Sequence, residues 1–168
     1  MIQEQKTIYD VDGSEKISSL LMNLLNEYPG LDGGVIEFST LVETGGIGFF
    51  PSAGAVLMLD EHYITGYVHQ ICRYPFDIIY RASPRSEEQK IRVKEFLDGL
   101  GRWLERQPVM IDGNTYKIDA YPDIESGSRR IRNITRTSPS HLMMAGQDGV
   151  QDWVISLELD YENNFYKE

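Results

Sequence analysis

The chain has 168 residues, 41% hydrophobic and 25% charged, with 26 acidic against 16 basic side chains and a formal net charge of −10. That length suits one domain, able to bury roughly 70% of its extended surface without a covalent staple. The acidity excludes a protein that binds nucleic acid over its whole surface, since phosphate affinity comes from Lys and Arg, and the single cysteine, Cys72, excludes an intrachain disulfide or a Cys-based zinc site.

Residues 1–11 read as a short arm, ordered against a neighbour. The N-terminal run MIQEQKTIYDVDGSEK is polar and acidic, unlike a secretory leader, and points to a cytosolic protein. No apolar run approaches the roughly 20 residues of a membrane span. Asp12 and Glu15 have the spacing of a helix cap, and Ile17, Leu20, Leu21, Leu24, Leu25 and Tyr28 then recur as one apolar helical face that Pro29-Gly30 ends. Such a face is expected to pack on a core. Val35 to Ser39 reads as a short strand. Thr44 to Pro51 reads as a loop: its glycines lack the lysine and Ser/Thr of a phosphate cradle, and their spacing is not G-x-G-x-x-G. Phe49 and Phe50 in this loop read either as partner contacts or as a satellite hydrophobic cluster.

Ala55 to Leu59 is a strand-length apolar run. Tyr67 to Arg81 is rich in β-branched and aromatic residues, with Cys72 as a reduced thiol inside it. Pro75 in its middle predicts an edge strand, or two strands meeting at a bulge. Ser86-x-x-Gln89 has capping-box spacing, and Val93, Phe96, Leu97, Leu100 and Leu104 form a second apolar helix face. Pro108 to Tyr121 reads as a hairpin turned at Asp112-Gly113. After a loop over residues 122–128, Arg129, Arg130, Arg132 and Arg136 place four of the sixteen basic residues within eight positions, on a strand or β-arm. They are candidates for an acidic partner surface, protein or DNA, or else a solvated arm balancing the acidic body. Thr137 to Gly149 reads as a loop. In the closing segment Trp153, Ile155, Leu157, Leu159 and Tyr161 alternate with Ser156, Glu158, Asp160 and Glu162, a strand with one core face and one acidic, wet face.

Catalytic chemistry is not signalled. Three histidines and no G-x-S-x-G context give no nucleophile with a base. Asp60, Glu61, His62 and His69 lack metal-ligand spacing and read as strand-end polar residues. Acid–base pairs such as Asp60/Glu61 or Asp123/Glu125 arise by chance in any acidic chain. No enzyme, metal or cofactor is expected. The residues alone reach an α+β domain.

The Ile17-to-Tyr28 helix, the segment F76-DIIYRASPRSEEQKIRVKEFLDGLGRWL-E105 and the closing strand Val150 to Tyr161, in this order, resemble the tail terminator (tail completion) family of tailed phages and prophages, some of whose members are labelled minor capsid proteins. The resemblance implies one domain over residues 1–168, a mixed or antiparallel sheet with two main amphipathic helices on one face, and a protruding arm over 129–149. It implies a homo-hexameric ring, assembled in the bacterial cytoplasm, that caps the head-proximal end of the tail tube and ends its polymerisation. Its partners would be the tail-tube protein and the head–tail connector, with DNA crossing the lumen without specific binding and no membrane involved. No functional residue carries over from the family. The alternatives are a connector or adaptor of the same module, or a small α+β ligand-binding protein or enzyme.

Overall fold

The computed structural model describes residues 13–43, 45–124 and 129–167. Residues 1–11 and the Asp12 cap, both singled out above, lie outside them. The order is α1 (Gly13–Leu25), a 3₁₀ turn (Pro29–Leu31), β1 (Ile36–Phe38), β2 (Gly46–Pro51), β3 (Val56–His62), β4 (Tyr67–Ala82), α2 (Glu87–Leu104), β5 (Val109–Ile111), β6 (Asn114–Tyr116), β7 (Arg129–Arg136), β8 (His141–Ala145) and β9 (Gln151–Tyr166).

Two 16-residue strands, β4 and β9, run antiparallel and pair along their whole length, from Tyr67↔Tyr166 to Ala82↔Gln151. Each carries two short strands end to end on its outer side. Along β4, β3 covers the end near Tyr67 and β2 the end near Ala82, with β1 added parallel to β2. Along β9, β7 covers the end near Tyr166 and β8 the end near Gln151. The result is a seven-stranded mixed sheet, with β5 and β6 forming a separate hairpin. Asp112 and Gly113 turn that hairpin with φ of 51° and 80°, the two positive values a type I′ turn requires.

Both helices lie on one face of the sheet. Ile17, Leu21, Leu24 and Leu25 of α1 and Val93, Leu97, Leu100 and Leu104 of α2 are buried against Tyr74, Phe76 and Ile78 of β4 and Ile155, Leu157, Leu159 and Tyr161 of β9. Each such side chain, fully buried, contributes about 1.5–3 kcal/mol of transfer free energy. Ser86 caps α2 by accepting from the Gln89 N–H at 3.2 Å, while the Gln89 side chain accepts from the Arg85 N–H at 2.6 Å. Gly101 lets α2 approach the sheet closely, since a Cβ there would stand 2.8 Å from Ile155 Cδ1 and 2.5 Å from Arg136 Cδ. Asn26 anchors β1 by accepting from the Ile36 N–H (2.9 Å) and donating to the Ile36 carbonyl (3.1 Å).

Four expectations are corrected. The stretch read as a loop up to Pro51 contains β2, paired residue by residue with β4. Gly48 is there because the Phe50 ring lies over it, leaving no room for a Cβ. The segment around Pro75 is neither an edge nor two strands; β4 is continuous and central. Pro75 faces the junction where β2 ends and β3 has not begun, and its carbonyl accepts from the Ser52 N–H at 3.0 Å. Carbonyl and nitrogen of one residue point to the same side of a strand, so its missing N–H falls at the gap between partners. The stretch read as a loop after Thr137 contains β8. The arm expected over 129–149 is instead β7 and β8, both laid on the sheet.

Candidate interaction surfaces

The sheet face away from the helices carries a cross-strand polar ladder built by β4 and β9. Arg73 grips Asp160 with two hydrogen bonds, 2.9 and 3.2 Å, and lies 3.4 Å from Glu158. Arg81 grips Asp152 at 2.7 and 2.9 Å. Ser156 donates to Asp77 at 2.6 Å, and His69 meets Asn164 at 2.6 Å. The bonds to Asp160 and Asp152 raise the pKa of Arg73 and Arg81 respectively, because each carboxylate favours the charged guanidinium. The alternating acids of β9 therefore sit half-buried and largely paired, where the sequence suggested an acidic, wet face. On β4, β7 and β9 this face sets Asp77, Asp152, Glu158, Asp160 and Glu162 against Arg73, Arg81, Arg130 and Arg132, close to charge balance.

The six residues singled out from the sequence do not form one patch. Phe49 is 0% exposed and packs among Phe38, Tyr74 and Phe76, so it is core and not a surface contact. Its neighbour Phe50 is half-buried on the ladder face, opposite Asp77. Arg136 turns to the helix side and pairs with Glu105 at 2.5 Å. Arg129 is half-buried at the start of β7. Arg130 and Arg132 are exposed; a β-bulge places Arg132 opposite no residue of β9, and its Nε lies 3.8 Å from Glu162.

The three histidines are not brought together. His62 (beside Asp60, 2.8 Å) and His69 point to opposite faces of the sheet, and His141 lies at its far end. The hydrogen bond from His62 heads the interactions that hold the Asp60 carboxyl below its usual range. No three His, Cys, Asp or Glu side chains converge as metal ligands among the described residues. An open hollow of about 460 Å³ lies beside α2's end and β7. Its Arg106 is committed to the carbonyls of Ile118 and Asp119 and lies over the Tyr121 ring, while Tyr121 donates to the Leu104 carbonyl at 2.6 Å. Burial raises the Tyr121 pKa, so its hydroxyl remains a structural donor.

What the sequence did not signal is the state of the sheet's edges. Among the described residues β1 and β3 on one side, and β7 and β8 on the other, pair only inward. Both edges expose large apolar side chains: Val35, Phe38, Val56, Leu57 and Met58 on one, Leu142, Met143 and Met144 on the other. The run His141–Ala145 is exposed throughout. Apolar runs without alternation, bounded by loops, were the available signal for strands with no core face of their own. No described helix is long and apolar enough to cross a membrane. No protein-family model matches the chain, and no curated protein matches it.

Proposed function

We propose that this protein is a structural virion component: a ring subunit that caps the head-proximal end of a phage tail tube, ends tube growth and presents a surface to the head–tail connector. The observation that carries the reading is the pair of sheet edges that no described strand covers, each with exposed large apolar residues. Unpaired edges are a liability in a monomer and are normally blunted or covered. A lateral neighbour on each side covers both, and a head-to-tail contact of that kind forms a ring where its rotation closes. The order of elements that resembles the tail terminator family supports the same role.

A hexamer of such subunits assembles in the bacterial cytoplasm and resides at the tail's head-proximal end. The ladder face, with its arginines and carboxylates largely paired, suits a wall past which DNA moves without specific binding. The role is structural and not catalytic. Adding the protein to polymerising tail-tube protein of the same phage tests it: tubes of limited length with a terminal ring are expected. Binding to the portal or connector with no effect on tubes would replace this reading with that of a connector.

A further inference from the structure

We propose that neighbouring copies join edge to edge, β7 of one copy pairing antiparallel with β3 of the next, with the arginines of β7 set against the carboxylate end of β3. This rests on the ring reading and specifies its interface. Three observations lead to it. First, β3, β4, β9 and β7 are linked by three successive antiparallel pairings, so β3 and β7 run in opposite directions. A copy set beside its neighbour with the same face outward, and tilted so that its β8 passes outside β1, therefore meets β3 as an antiparallel pair over the first half of β7. That half lies ahead of Ile134 and Arg136, whose outward N–H groups Tyr121 and Glu105 already take. No subunit has to flip.

Second, the two edges match in charge at the same end of the sheet. Glu61 of β3 pairs with His69 of β4, which pairs with Asn164 of β9. Arg130 of β7 pairs with Glu162, two residues away along β9. Glu61 and Arg130 therefore both project from the ladder face, one pleat apart in height, on opposite edges. Diagonal neighbours of this kind across a strand pair lie within reach of long side chains. Both are exposed, Arg130 forms no ion pair with a described residue, and the bulge turns the exposed Arg132 to the same face.

Third, the charges work against the competing twofold dimer. Two β7 edges paired antiparallel about Ile131 would set Arg130 opposite Arg132 on each side, and like charges directly opposite destabilise a strand pair. The heterologous contact has no such conflict, and a heterologous contact gives rings or filaments where a twofold one stops at a dimer. At the other end of the same two edges, Val35 and Phe38 and the β8 residues Leu142, Met143 and Met144 are exposed, adding apolar surface on both sides.

The experiment is a charge swap read by sedimentation velocity, on the protein alone and with tail-tube protein, with circular dichroism confirming that each variant is folded. E61R alone and R130E alone are expected to weaken self-association at least about tenfold, by setting like charges together. The double variant E61R/R130E is expected to recover most of it, which a merely destabilised fold would not do. Assembly of unchanged strength in both single variants would overturn the edge pairing and leave the ring standing. A wild-type chain that stays monomeric with and without tube protein would overturn both.

Discussion

Asp98 is the place where the sheet's outer edge is tied to α2, and replacing it by alanine should release that tie. Its Oδ1 accepts from the Ser140 N–H at 3.1 Å and the Ser140 hydroxyl at 2.6 Å, and its Oδ2 accepts from Lys94 at 2.7 Å. Ser140 is 2% exposed and sits in the link between β7 and β8. Burial pushes the Asp98 carboxyl up, but the bonds from Lys94 and Ser140 outweigh it and hold it below the usual carboxylate range. A hydrogen bond to a charged group contributes about 1.5–3 kcal/mol, while the half-exposed Lys94 pair adds less than about 1. The Ser140 hydroxyl can turn to the Lys94 carbonyl at 3.2 Å, so its loss is partly compensated. Asp98→Ala should therefore cost about 2–3 kcal/mol at pH 7. A carboxyl with a lowered folded pKa contributes fully above its unfolded value near ~3.9, and that contribution is lost as pH falls through the folded value. Urea unfolding of both proteins, followed by circular dichroism, should show the full difference at pH 7 and a smaller one at about pH 3. A cost below about 0.5 kcal/mol at pH 7, or one that does not change with pH, would mean that the Asp98 carboxylate does not hold Ser140 to α2.

Gly101→Val would drive a branched side chain into Ile155 and the Arg136 stem, and overpacking of this kind costs about 1–3 kcal/mol or more; a melting temperature equal to wild type would show that α2 does not sit that close. Pro75→Ala should lower stability by no more than about 1 kcal/mol, chiefly through the freer unfolded chain, because the N–H it restores faces the gap between β2 and β3. A large gain in stability would mean that β4 lacks a ladder bond at that point.

The helices and β9 were legible because each has a face whose period matches its backbone. Ile17 to Tyr28 and Val93 to Leu104 repeat at helical spacing, and Trp153 to Tyr161 alternate. The Asp112-Gly113 turn was equally local. What escaped depends on partners distant in the chain. β2 looked like a loop because Gly46 and Gly48 are turn residues by habit, yet Gly48 is small to fit the Phe50 ring and Gly46 has a φ of 118°. Pro75 argued against a central strand until the end-to-end arrangement of β2 and β3 supplied a gap for it. Arg73 and Asp160 are 87 residues apart, and Arg81 and Asp152 are 71 apart, so the neutralisation of β9's acids could not be read from their alternation. The arginine cluster was visible, but the bulge at Arg132 breaks the period of two, and only the register shows Arg130 and Arg132 facing out while Arg136 reaches back to Glu105.

Native mass spectrometry of the purified protein, alone and mixed with tail-tube protein, tests the proposed ring. A closed hexamer is expected, either in free solution or formed on tube ends from a monomer. A monomer that stays monomeric and indifferent to tube protein would contradict it.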